Sequence, residues 1–282
     1  MGLSRLEPPP DGAVKVAPPG TLLVAIDLEN VHEIRALRGR SENNINTQLG
    51  VSILDPVHLR APHTDLIQSI QFASGNEFYT RKASNKFLFG KTVVCKSSEL
   101  ADRLASILPH DRPFLLVAQN SIPDRASMRN LGFDIDSCPQ FAGIVDTYPM
   151  TGDVFHTGRS FGSLRKILTE LGVEWDPRDL HTAGNDAHYT LRAALMLARR
   201  GYLETYPNTS MEDAVVLETA RTLALAKVPE RRPSAKSSTK RMMERMEARE
   251  AVQQARVRLR AEQDRLEMET EDYGTELLCL SW

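Results

Sequence analysis

Residues 21–29 read TLLVAIDLE, an unbroken apolar run that ends on two carboxylates. A run of this length, rich in Leu, Val and Ile, forms a strand buried on both faces at the centre of a sheet. Side chains alternate along a strand, so Asp27 and Glu29, two apart, point to the same side at its mouth. Like charges buried together cost free energy unless a cation lies between them. The pair therefore points to a hard divalent ion held by oxygen ligands, against the plainer reading of two solvated carboxylates at a strand end.

Outward from this strand, QLGVSILD (48–55) and LIQSIQFA (66–73) read as an antiparallel hairpin beside it. Ser74 to Lys86 reads as a polar loop. Ser97 or Ser98 caps a helix whose Leu100, Leu104, Ile107 and Leu108 recur at helical spacing. PFLLVA (113–118) is a fourth strand, and Pro123 in the following QNSIPD suits the first turn of a helix that Gly132 ends. FAGIVDT (141–147) is a fifth. SFGSLRKILTELG (160–172) sets Leu164, Ile167, Leu168 and Leu171 on one helical face, and Gly172 stops it. HTAGNDAHYTLRAALMLARRG (181–201) carries a second stripe through Ala187, Leu191, Ala194, Leu195 and Ala198. Ser210 and Asp213 form a capping pair for a last helix through Ala226.

This order predicts one α/β domain over residues 20–228, a mixed five-stranded sheet flanked by helices. The proline-rich residues 1–19 read as a disordered arm. Residues 229–282 read as a basic, Ser-rich linker followed by a charged helical or disordered tail, a candidate contact for a protein partner.

With 35 Lys and Arg against 37 Asp and Glu, the chain has a net charge of -2, so nucleic-acid binding must rest on local cations. Cys95, Cys138 and Cys279 follow no ligand spacing, which argues against a disulfide framework or a zinc knuckle. No stretch approaches the roughly 18 apolar residues of a membrane span, and the start lacks a secretory pattern. A cytoplasmic or nuclear location is the expectation.

The hexapeptide HTAGND places His181 just ahead of a helix and Asp186 within its first turn, so both can face one cavity. In a two-metal phosphodiester site, carboxylates hold two ions about 3.5–4 Å apart while an imidazole takes a proton from the attacking water. The plainer reading makes His181 a helix-start residue and Asp186 a partner of the helix dipole.

Taken in chain order, DLE (27–29), QNSIPD (119–124), DT (146–147) and HTAGND (181–186) resemble the DEDDh exonuclease family of the RNase H-like superfamily. The string HTAGNDAHYTLRAALMLA (181–198) is most similar to the fungal branch, whose members are associated with RNA silencing or mRNA export. The resemblance covers about residues 20–205. It implies a 3′→5′ exonuclease using Mg²⁺ or Mn²⁺ on RNA or single-stranded DNA, RNA favoured. Asp27 would bridge both ions, Glu29 and Asp186 would complete the water side, Asp124 would hold the second ion, and His181 would be the general base. Gln119 and Pro123 depart from the family pattern, which leaves an alternative: an inactive scaffold of the same fold that binds nucleic acid or protein partners in RNA metabolism. Asp146 is expected to fix a strand end and His188 to be a surface or core polar residue. Phe78, Tyr79 and Phe87, beside Arg81, Lys82 and Lys86, either stack bases or pack in the core.

Overall fold

β1 (Leu22–Glu29) is buried by alternation. Val24, Ile26 and Leu28 pack on one face with Leu100, Leu104 and Met128, while Ala25 packs on the other with Ala187, Leu191 and Leu223. Asp27 and Glu29 share the parity of Ala25 and so face the second layer. Burying each large aliphatic side chain stabilises by roughly 1.5–3 kcal/mol, enough for the three on the first face to fix which way the carboxylates turn.

The computed structural model describes residues 17–35, 45–60, 66–158 and 160–231, with Val252 and Ala255 beyond them. The other strands are β2 (Thr47–Leu54), β3 (Gln68–Ser74), β4 (Gly90–Val94), β5 (Phe114–Ala118) and β6 (Phe141–Asp146). They form one six-stranded sheet in the order β4-β3-β2-β1-β5-β6. β2 is antiparallel to β1 and to β3, whereas β3–β4, β1–β5 and β5–β6 are parallel. The helices are α1 (Val31–Arg35), α2 (Glu77–Lys86), α3 (Leu100–Ile107), α4 (Ser121–Asn130), α5 (Thr147–Val154), α6 (Leu164–Glu170), α7 (Ala183–Thr205) and α8 (Met211–Ala224). Residues of α1, α3 and α4 share the first core with β1, while α7 and α8 cover the opposite face. α6 packs on α7 through Ile167, Leu168, Tyr189 and Ala193.

Three expectations need correction. The sheet has six strands where five were expected, because GKTVV forms β4, a short edge strand with no buried residue. Ser74 to Lys86 is not all loop: α2 occupies most of it, with the Asn76 side chain accepting the Tyr79 N–H, and buries little besides Thr80 and Ala83. Ser97 and Ser98 do not cap α3. They lie in a 3₁₀ turn (Ser97–Glu99), and α3 begins without a side-chain cap bond. Other termini follow the sequence. Gly132 and Gly172 take positive φ of 94° and 68° after α4 and α6, and Ser210 Oγ accepts the Asp213 N–H at 3.1 Å.

No described helix is long and apolar enough to cross a membrane. Arg231 ends the first of two units, and of the second only Val252 and Ala255 are described. The expected C-terminal linker and tail from Arg232 on, and the arm through residue 16, otherwise lie outside the described residues.

Candidate active site

In the β1–β2 register Asp27 lies opposite Gly50 and Glu29 opposite Gln48, so all four face α7. Gly50 is where the helix arrives: a Cβ there would stand 2.0 Å from the Ala183 carbonyl oxygen. Only a residue without a side chain admits the first turn of α7 this close to Asp27. The same sheet face then caps the helix. Gln48 Oε1 accepts the Ala183 N–H at 3.2 Å, and Gln71 Oε1 accepts the Gly184 N–H at 3.0 Å, satisfying two of the donors a helix start leaves open. Asn185 completes the anchorage by donating to the Lys86 and Asp179 carbonyls at 2.9 and 2.8 Å and accepting the Leu88 N–H at 2.9 Å. Asp186, the next residue, is thereby held against β1.

His181 precedes the helix in the left-handed region, φ 60°, and donates its N–H to Asp186 Oδ2 at 2.9 Å. Its ring points outward, with the side chain 87% exposed and Nδ1 3.6 Å from Glu29 Oε1. Glu29, His181 and Asp186 offer ligand atoms that all lie within 4.8 Å of one another, a possible metal site of acids and imidazole.

Asp124 arrives from the other side, in the first turn of α4. β1 outruns β5, their pairing stopping at Ala25 and Val117, and the Asp124 carboxylate takes the Leu28 N–H beyond the last rung. The turn into α4 is fixed by Asp146, which accepts the N–H groups of Asn120, Ser121 and Tyr148 at 2.9, 2.7 and 3.0 Å. Asp146 thus ties strand ends together, as expected. Gln119 is engaged as well, accepting from Thr147 Oγ1 at 2.6 Å and donating to the Gly162 carbonyl at 3.3 Å.

The electrostatics show how tightly these acids are gathered. Burial first, then the charges of Asp186, Asp124 and Glu29, raise Asp27 well above the usual carboxylate range. Burial, then Glu29, does the same to Asp186. Asp124 is pushed up to about 7, chiefly by burial and further by Glu29 and Asp146, against the Leu28 N–H. Asp27 Oδ2 and Asp186 Oδ1 are buried with no hydrogen-bond partner among the described residues. Acceptor oxygens without donors, on acids that cannot all ionise together, fit a hard divalent cation.

Two clefts flank His181. One, of about 220 Å³, is lined by Asn30, Gln48, Tyr79, Lys82 and Lys86 beside Glu29. The other, of about 370 Å³, is lined by Leu164, Arg165, Trp175, Pro177 and Leu180 beside Asp186. Lys86 donates to the Leu180 carbonyl at 3.3 Å, and burial lowers its proton affinity. Of the three aromatics near α2, Phe87 is core, Phe78 is exposed and Tyr79 lines the first cleft, where Asn30 and Gln48 each donate to its hydroxyl at 3.0 Å. His188 is a core polar residue. The anchoring residues Gln48, Gln71 and Asn185 went unremarked in the sequence, and only the adjacency of Asn185 to Asp186 hinted at any of them, whereas Tyr79, Lys82 and Lys86 stood out there as part of a basic and aromatic group and do line one cleft.

A mixed sheet whose central strand runs out into carboxylates, met by an acid from the start of a covering helix, is the architecture of an RNase H-like nuclease domain. Within that class the chain belongs to the DEDDh exonuclease-type family: the DEDDh_C family model, described as DNA polymerase III subunit epsilon-like, C-terminal domain, matches residues 22–197. That span holds Asp27, Glu29, Asp124, His181 and Asp186. No curated protein gives a match.

Proposed function

We propose that this chain is a divalent-metal-dependent 3′→5′ exonuclease acting on RNA or single-stranded DNA, with RNA favoured. Asp27, Glu29, Asp124 and Asp186 would hold Mg²⁺ or Mn²⁺ through oxygen ligands. Bound there, divalent ions supply Lewis acidity and offset charge on the scissile phosphate. His181 is the general base. Its Nδ1 faces Glu29, which leaves Nε2 open to solvent to take the proton of the attacking water. The observation that carries this reading is a pair of buried carboxylate oxygens without donors, on Asp27 and Asp186, from segments remote in the chain and beside an exposed imidazole. Lys82 and Lys86 in one cleft and Arg165 in the other offer cations to a phosphate backbone, and Tyr79 and Trp175 offer ring faces to bases. The string at 181–198 supports the fungal branch and a role in RNA metabolism, in the cytoplasm or nucleus.

The test uses full-length protein with 5′-labelled single-stranded RNA and DNA, with divalent ions or with chelator. The expected result is stepwise shortening from the 3′ end, faster on RNA, abolished by chelator and by Asp27→Ala. Products formed without metal, or formed equally by Asp27→Ala and His181→Ala, overturn it.

A second reading is a scaffold that binds nucleic acid without cutting it. It is supported by Gln119, engaged with Thr147 and Gly162, and by Asp124, which stands outside the close triplet of Glu29, His181 and Asp186. It predicts RNA retention with no cleavage and no heat of Mn²⁺ binding in calorimetry.

A further inference from the structure

Arg192 lies on α7 six residues beyond Asp186, about 9 Å along the axis at the helical rise, and is 4% exposed. A buried arginine is ordinarily paired with a carboxylate. Here the partners are neutral: Nε donates to His188 Nε2 at 3.0 Å, and Nη1 donates to the Ala226 carbonyl at 2.9 Å. The guanidinium also lies over Phe89, 5.1 Å from the ring centroid.

The support for this arrangement runs back into the sheet. Because His188 Nε2 accepts from Arg192, its proton sits on Nδ1 and is donated to Ser69 Oγ, 2.9 Å away, leaving Ser69 to donate to Ser52 Oγ at 2.7 Å. His188 is stacked flat on Phe89, with centroids 3.7 Å apart. Every group in this chain is spent on holding the guanidinium plane, and none brings a negative charge.

Compensation is partial. Ala226 lies just past α8, so the negative end of that helix offsets some of the charge. Glu174 acts on Arg192 only at longer range, its carboxylate accepting the Val228 N–H at 3.4 Å. Among the described residues no carboxylate forms an ion pair with Arg192, and its Nη2 has no hydrogen-bond partner. Arg192 lines a cavity of about 220 Å³ whose other lining includes Leu88, Leu223, Lys227 and Pro229. Lys227 also lines that space, and its contact with Glu230, at 3.6 Å, joins two exposed side chains and so holds it only weakly.

We propose that this cavity is an oxyanion-binding site, distinct from the acidic cleft, that takes a phosphate group against the open edge of Arg192 with Lys227 closing over it. The guanidinium fork matches a tetrahedral oxyanion through parallel N–H donors, and the second cation supplies charge without demanding a geometry. The cavity has room for the phosphate itself, while a substituent would extend outward.

Calorimetric titration of the metal-free full-length protein tests this, with inorganic phosphate in one arm and glycerol phosphate in the other. Without cations the carboxylates of the acidic cleft repel both probes. Saturable one-to-one binding of phosphate is expected. Arg192→Lys, which keeps the charge but loses the fork, should weaken it at least about tenfold. Lys227→Ala, a surface change that leaves the core untouched, should weaken it several-fold. Tighter binding of glycerol phosphate than of inorganic phosphate identifies a phosphomonoester as the ligand, and equal binding identifies free phosphate. Absence of saturable binding, or affinity unmoved by both substitutions, or loss of binding that follows Lys86→Met, overturns the proposal.

Discussion

One helix carries two buried charges, and the protein treats them in opposite ways. Asp186, in the first turn of α7, sits among other carboxylates with one oxygen lacking any donor among the described residues. Arg192, six residues on, sits among neutral groups that use their lone pairs to hold it. At the first place charge of one sign is accumulated, and at the second a lone charge is braced. A folded chain retains uncompensated buried charge only at a cost, so each place reads as prepared for the opposite charge.

The sharpest way to break this contrast is to remove charge at the acidic end. His181→Ala should lower kcat on RNA by about 10²–10⁴-fold, and Asp27→Asn should be at least as severe. Yet Asp27→Asn should raise the melting temperature of the metal-free protein at neutral pH, because it removes an acid whose ionisation is opposed first by burial and then by the neighbouring carboxylates. A metal-free Asp27→Asn protein that melts well below wild type would show that the acids are structural.

At the other end the same operation should have the opposite sign. Arg192→Met leaves His188 Nε2 and the Ala226 carbonyl without their donor, at a cost of about 2–4 kcal/mol measured by denaturant unfolding. A neutral effect would mean that the bracing contributes nothing.

The pH dependence is a finer test. Asp124 titrates at about 7 in the folded protein against an ordinary 3.8, so between those values the native state holds a proton that the unfolded chain has lost. The favourable contribution is fully present below the lower value and is lost as pH rises through the higher one. Metal-free protein should therefore melt lower at pH about 8 than at about 5.5, with the slope reduced in Asp124→Asn and by saturating Mn²⁺. A melting temperature that climbs over this range would contradict the gathered acids. The smallest effect is expected at Asp136, whose carboxylate meets Arg125 and Arg129 at 2.5 and 3.2 Å on the surface. Asp136→Ala should shift stability by no more than about 1 kcal/mol and leave cleavage unchanged.

The central strand and the long helix were legible because each encodes its burial in periodicity, TLLVAID as a continuous run and 183–198 as a stripe. β4 escaped because an edge strand with no buried residue has no apolar pattern to show. α2 escaped because its buried positions are only Thr80 and Ala83, so EFYTRKASNK shows no apolar stripe at helical spacing. In the site, acids at the ends of strong elements stood out by position. Gln48 and Gln71 could not: each is an ordinary polar residue in a strand until a helix from more than a hundred residues away needs its amide oxygen. Capping across layers is a property of the tertiary structure, and no local spacing records it.

Gly50 has a consequence for how the cleft can breathe. Where the Ala183 carbonyl rests on Gly50, the gap between the strand bearing Asp27 and the helix bearing Asp186 is gauged by main chain against main chain. No rotamer can lengthen or shorten that gauge. Widening it requires a strand and a helix to part as bodies, a slower and rarer event than a side-chain flip.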